Sequence, residues 1–478
     1  MLPHEMANLT IRSSIARRPY LMWLGVLVFG AALSACSTMR PALNQPLNQS
    51  TSSDPSVTKY RLQDLSPKSG NSDSLVVILT FSGGGTRATA FAYGVLNELK
   101  NTPIHRNGEA TTLFDEVDVV AGVSGGSVTA AYFAAFGEGI FRSFEPAFLK
   151  SDFQGELISR TRSPGNALQL SSPWFGRGHL LAEQFDETLF RGTTYGDLAT
   201  RRTRPFLLIT ATDLSLGSGF EFSQDQFDIL CSGLDKVPLA VAVAASSAVP
   251  LVLSPITVRN YASNCAPSPA SPDGHLPDAQ AVSPRVAATA GAYLDSEKRP
   301  FIHLVDGGLS DNLAVRWIID NIGLSGVMAK PIERNGFRDV DKLVIINVNA
   351  EQGPNISLDR SDKVPSIAEV FEAVSSASLA RRSRETREIL ASSTALWREK
   401  LRSAARAGSR ALSSSIDLYV IEVSLQAHPD PKLREELQAV PTSFSLPHDA
   451  VDKLISAAQT ILRGSDEFGR LLRELSVQ

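Results

Sequence analysis

The sequence predicts an α/β fold in which a mostly parallel central sheet is sandwiched by helices, and three observations carry that expectation. Leu75-Val76-Val77-Ile78-Leu79 is a continuous apolar, largely β-branched run bounded by Ser and Gly, as a strand buried on both faces requires. Residues 88–100 then place Phe91, Val95 and Leu99 at helical spacing. A second apolar strand, Val117 to Ala121, leads into the Ala-rich helical stretch Ser127 to Phe136. This is a β-α-β-α rhythm. Further strands are expected at 206–210, 301–305, 343–348 and 416–423, and active sites in such sheets lie at the C-terminal ends of the strands.

Composition narrows the classes of function. The 478 residues are 43% hydrophobic and carry a formal net charge of −4, so no basic excess is available to neutralise phosphates, and nucleic-acid binding is not expected. The stretch Arg381, Arg382, Arg384, Arg387 interleaves with Glu385 and Glu388 and reads as a solvated helix face.

At the N-terminus Arg12, Arg17 and Arg18 precede an apolar run from Tyr20 to Leu33, an export signal too short for a membrane span of about 20 apolar residues. It ends in Leu33-Ser34-Ala35-Cys36, which resembles the lipobox of bacterial lipoproteins. That resemblance implies cleavage before Cys36, lipidation of its thiol and amine, and anchoring to membrane lipids. Ser37 in second place favours the outer membrane of the cell envelope. An uncleaved signal anchor is the alternative.

The expected organisation is a signal peptide over 1–35, a lipidated Cys with a flexible tether over 36–73, and one catalytic domain over 74–478. The tether is rich in Ser, Asn, Gln and Pro, and about 35 such residues have an r.m.s. reach of roughly 30–35 Å. Within the domain, 262–300 reads as a long surface loop, either a lid or an insertion. A long amphipathic helix over about 365–410 and a closing helix over 447–463 complete the chain. In the oxidising compartment that export implies, Cys231 and Cys265 are able to pair, closing a loop of about 34 residues for roughly 3–4 kcal/mol. Two unpaired small hydrophobes are the alternative.

Three motifs carry chemistry. Gly122-Val123-Ser124-Gly125-Gly126 has the G-x-S-x-G pattern between a strand and a helix, where glycines permit a sharp turn that exposes the serine Oγ. Ser82-Gly83-Gly84-Gly85-Thr86-Arg87 lies at another strand-to-helix junction, where backbone N–H groups can converge on an oxyanion. Arg87 is placed either to meet an anionic head group or to orient that loop. Asp306-Gly307-Gly308 puts a carboxylate at the end of a buried strand.

Together, in this order, the motifs strongly resemble the patatin-like phospholipase family, as does Ala245-Ser246-Ser247-Ala248-Val249-Pro250, and the likeness runs from about Leu75 to Val348. The resemblance implies a three-layer α/β/α fold and a Ser-Asp dyad hydrolysing lipid acyl esters through an acyl-enzyme. Ser124 would be the nucleophile, Asp306 the base, and Gly83, Gly84 and Gly85 the oxyanion loop, with Arg87, Gly122, Gly125, Gly126, Gly307 and Gly308 in support. No metal or cofactor is called for. Two departures touch supporting turns: Ala88 follows Arg87, and Asp311-Asn312-Leu313 stands where plant-type members carry Asn-Asn-Pro. The rivals are an α/β-hydrolase triad completed by His428 or His448, and a non-catalytic envelope lipoprotein.

Overall fold

In the computed structural model, which describes residues 40–42, 44–47, 59–68, 71–106, 109–265, 284–325, 329–353 and 358–476, the first apolar run becomes strand β1 (Leu75–Phe81). In chain order follow the hairpin β2 (Pro103–Arg106) and β3 (Glu109–Thr112), then β4 (Val117–Gly122), β5 (Phe206–Asp213) and β6 (Gly219–Glu221). The rest are β7 (Ile256–Arg259), β8 (Phe301–Val305), β9 (Val340–Asn349) and β10 (Leu412–Ser424). The central sheet has the order β10-β9-β1-β4-β5-β8-β7, with β6 pairing β5.

From β10 to β5 every pair is parallel, whereas β8 runs antiparallel to both β5 and β7. Side chains alternate across the sheet, and β1 makes the layering explicit. Val77, Leu79 and Phe81 face a core built from the helices Gly85–Lys100, Gly125–Phe136 and His448–Arg463. Val76 and Ile78 face a second core with Ile318, Leu390, Trp397 and Leu401. Helices on both faces of a mostly parallel sheet make the three-layer α/β/α arrangement the sequence suggested.

Two expectations need correction. The segment 36–73 is not a free tether where it is described. Asn44 Oδ1 accepts the Arg259 N–H at 2.7 Å, and the Leu47 N–H reaches the Cys231 carbonyl at 2.9 Å. Tyr60 is buried with its hydroxyl accepting the Leu207 N–H at 2.7 Å. A polar composition argues against burial, but it does not stop asparagine side chains from pairing with an open strand edge such as β7.

The second correction concerns 262–300, which is not all loop. Residues 284–294 form a helix whose Val286, Ala290 and Tyr293 are buried at helical spacing, and Tyr293 donates to Asp213 Oδ2 at 3.0 Å. Residues 266–283 lie outside the described residues, as do the signal peptide and Cys36. Cys231 and Cys265 form a disulfide with Cα atoms 5.7 Å apart.

The long helix is Ile367–Arg406, opened by a capping box in which Ser366 and Glu369 exchange side-chain-to-backbone bonds at 2.7 and 3.3 Å. Its arginines are partly engaged: Arg381 meets Glu385 at 3.0 Å, and Arg382 donates to the Leu309 carbonyl at 2.9 Å.

Candidate active site

Parallel strands bring the ends of β1 and β4 side by side, because Phe81 pairs with Gly122. Each strand then turns at once into a helix, so the Ser82–Gly85 and Val123–Gly125 turns meet. Ser124 sits at the corner with φ 50° and ψ −125°, a backbone conformation that costs a non-glycine residue of order 1–3 kcal/mol and is held only by its surroundings. Those surroundings are visible. The Val123 N–H reaches the Phe81 carbonyl at 3.1 Å, the Ser124 N–H is taken by Ser246 Oγ at 2.9 Å, and Ser127 Oγ donates to the Ser124 carbonyl at 2.6 Å. Gly125 is required here because a Cβ would collide with the Gly85 backbone.

The antiparallel β8 delivers Asp306 from the other side. Ser124 Oγ donates to Asp306 Oδ2 at 2.9 Å, and the Gly308 N–H donates to Oδ1 at 2.8 Å. Both side chains are buried, with 7% and 8% of their surface exposed. Burial pushes the Asp306 carboxyl up to about 6, against the opposing pull of the Gly308 N–H and the Ser124 hydroxyl. Among the described residues no cation holds it down. A carboxylate raised toward neutrality and aimed at a hydroxyl is a competent proton acceptor, which an ordinary aspartate near 3.9 is not.

The glycine loop divides its labour. The Gly83 N–H is already donated to the Asn312 carbonyl at 3.0 Å, so Gly83 serves by its missing side chain, and a Cβ there would strike Asn312 Oδ1. Among the described residues nothing accepts the N–H groups of Gly84 and Gly85, whose φ values of 139° and 58° suit glycine. Thr89 Oγ1 lies 3.0 Å from the Gly85 carbonyl and 2.8 Å from that of Gly125, tying the two turns together.

Arg87 resolves toward the second of its two readings. It is buried and donates to the carbonyls of Ala350 at 2.8 Å and Val440 at 2.6 Å and to Thr442 Oγ1 at 3.2 Å, which fastens the loop to the end of β9 and to the segment before the helix His448–Arg463. Burial lowers its guanidinium to about 9, still charged at neutral pH. Among the remaining expected supports, Gly122 ends β4, Gly126 lies in the first turn of the helix, and the Gly307 N–H reaches the Ser246 carbonyl at 3.0 Å.

The rival histidines are occupied elsewhere. His428 Nδ1 accepts the Asp430 N–H at 3.2 Å, and His448 Nε2 lies 3.0 Å from the Lys150 carbonyl. Among the described residues no group of three or more His, Cys, Asp or Glu side chains could hold a metal ion.

The sequence model of the family described as patatin-like phospholipase matches residues 79–316, a span that holds the glycine loop, the serine elbow and the aspartate motif. Residues 79–316 are a patatin-like phospholipase domain. Solved structures with some similarity include human GIVD cytosolic phospholipase A2 at 13% identity and a TM-score of 0.40, over 96% of this chain and 67% of that one. The same human enzyme in complex with methyl gamma-linolenyl fluorophosphonate gives 14% and 0.38, over 84% of this chain and 59% of that one. VipD from Legionella pneumophila gives 13% and 0.28, over 89% and 73%. The chain thus covers 59% to 73% of the length of these structures, and scores this low add nothing to the family match. No curated protein matches the chain.

Two residues of the patatin-like domain act at the site without having been singled out for it. Ser246 passes a hydrogen bond from the Ser124 N–H on to the Thr210 carbonyl at 2.7 Å. Asn312 lies between Gly83 and Gly308. The departure at Asp311 has a local use: its carboxylate accepts the N–H groups of Leu313 at 3.2 Å and Arg316 at 2.7 Å, the latter opening the helix Arg316–Ser325.

Proposed function

We propose that the protein is a serine acyl-hydrolase of lipid esters, exported to the bacterial envelope and anchored through Cys36 at the outer membrane. The observation that carries this reading is the 2.9 Å hydrogen bond from Ser124 Oγ to a buried Asp306 that has no cationic partner among the described residues. Asp306 takes the hydroxyl proton as Oγ bonds to the ester carbonyl carbon. The carbonyl oxygen, now negative, is placed to receive the unused N–H groups of Gly84 and Gly85. Collapse breaks the bond to the alcohol, which leaves with the proton from Asp306, and the acyl group stays on Ser124. Water then gives a proton to Asp306, attacks the acyl-enzyme and releases the fatty acid, restoring the dyad.

Three features support this: strain stored at Ser124, a base of raised proton affinity, and donors preset toward the developing charge. The test compares hydrolysis of a short-chain chromogenic ester and of phospholipid vesicles by the wild type, Ser124→Ala and a His428→Ala/His448→Ala double variant. Ser124→Ala is expected to abolish both activities and the double variant to keep them. Full activity in Ser124→Ala would overturn the mechanism.

A further inference from the structure

The segment that supports the dyad continues, without a break, into an exposed apolar tip. The Ala248 carbonyl accepts the Asp306 N–H at 3.0 Å, and the next residues, Val249-Pro250-Leu251-Val252, turn outward. Leu251 and Val252 are 65% and 59% exposed, and Leu251 adopts φ 69°, a left-handed backbone that a leucine rarely takes. Water gives no reason to keep two large aliphatic side chains there.

A neighbouring strip is bound to this tip. Arg177 donates to the Leu251 carbonyl at 3.0 Å, and the Gly178 N–H donates to Ser254 Oγ at 2.9 Å. Three residues before Arg177 stands Trp174, 42% exposed, with the Arg40 guanidinium 3.9 Å from its ring centre. Tryptophan with an exposed ring and arginine beside it is the pairing found where protein meets lipid head groups. Arg40 also marks where the chain comes from. It lies four residues after Cys36, and four residues span at most about 14 Å when fully extended. Residues 44–47 are pinned to Cys231, Ser232 and Arg259, and Arg40, the first described residue after Cys36, is held against Trp174.

We infer that the face carrying Trp174, Val249, Leu251 and Val252 docks on the lipid surface that holds the Cys36 acyl chains, and so sets the Ser124 site against the leaflet from which substrate comes. The inference rests on the proposed lipid-ester activity and on the Cys36 anchor. It replaces a catalytic body swinging on a long tether with one held at a fixed orientation. An acyl ester rising from that leaflet reaches the dyad past this tip, which follows the Ala248 carbonyl that holds the Asp306 N–H.

The test keeps docking separable from catalysis. Anchored full-length protein carrying Ser124→Ala is reconstituted in phosphatidylcholine/phosphatidylglycerol vesicles with brominated acyl chains, and tryptophan emission is followed. The mature chain holds Trp174, Trp317 and Trp397, and Trp174→Phe isolates the contribution of the first. Quenching that disappears with Trp174→Phe is expected. In the active protein, Leu251→Ser/Val252→Ser is expected to lower vesicle hydrolysis at least about tenfold while leaving the soluble ester within about twofold, since only the lipid contact buries those side chains. Absent Trp174 quenching, or an equal loss on both substrates, overturns the docking face. If the wild type hydrolyses neither substrate, the proposed activity fails while quenching still decides docking. If mass analysis finds Cys36 unmodified, the anchor fails, and the same quenching is read on soluble protein added to the vesicles.

Discussion

Asp118 and Asp306 are both buried aspartates, and burial pushes both up to about 6, yet only one of them faces a serine hydroxyl. Asp118, in β4, sits at the opposite end of the sheet from the serine elbow. It accepts from the Val77 N–H at 2.9 Å, from Arg204 at 2.9 Å and from Asn71 at 3.2 Å. Arg204 is nearly as deeply buried, so the two form a closed structural pair. Asp306 has one backbone N–H and one hydroxyl. A raised carboxyl pKa therefore marks burial, and the partner decides whether burial serves packing or proton transfer.

The same conservative substitution at the two positions should give opposite results, and these are the largest effects expected. Asp306→Asn removes the base and should lower ester hydrolysis about 10³-fold. It should also stabilise the fold at neutral pH. An unfolded aspartate ionises near 3.8 and the folded one near 6, so stability falls as pH rises through that window, and the accumulated cost above it is about 3 kcal/mol. Asp118→Asn keeps an oxygen facing the Arg204 guanidinium and touches no reacting atom, so specific activity should be retained by the folded fraction. Urea unfolding at pH 7 beside ester kinetics reads both. Destabilisation by Asp306→Asn would show that its carboxylate is held by something other than the two donors seen.

The pH profile sharpens the comparison further. A protonated Asp306 cannot accept the Ser124 proton, so kcat/KM on a soluble ester should rise along a limb centred near 6. One pH unit below that point, activity should be about tenfold under the plateau. Asp118→Asn should leave the limb where it is. A limb that moved with Asp118 would mean the observed titration belongs to folding, not to the dyad.

Much of this site could be read from local sequence, because each motif is a strand end followed by glycines. Apolar runs place strand ends, and glycine marks where backbones must meet. The direction of β8 was harder, since apolar content alone does not say which way a strand runs. In the structure Phe301, Ile302, His303 and Leu304 alternate exposed and buried, as suits an antiparallel strand with one solvated side, but Phe301 is itself apolar and hides that alternation in the sequence. The fastening of 40–47 was hidden for a different reason. Asn44 earns its place by bonding Ser232 and Arg259, which are 188 and 215 residues away, and no local pattern records such a partner.

Ser246 belongs to the same category and supports the smallest effect expected. Its hydroxyl links two strands' worth of backbone, accepting the Ser124 N–H and donating to the Thr210 carbonyl, and it is fully buried. It does not touch the reacting atoms, so it is a positioning residue for the strained elbow. Ser246→Ala leaves the Ser124 N–H unpaired and frees the corner to relax away from φ 50°. Loss of one hydrogen bond of about 1 kcal/mol corresponds to about fivefold in rate. Because the bond orients Oγ without contacting the acyl chain, the loss should fall on kcat with KM unchanged, and the pH limb should stay near 6. A raised KM at constant kcat would place Ser246 in substrate binding instead. A shifted limb would mean that the Ser246-to-Ala248 segment acts through Asp306, whose N–H it also holds, more than through the serine.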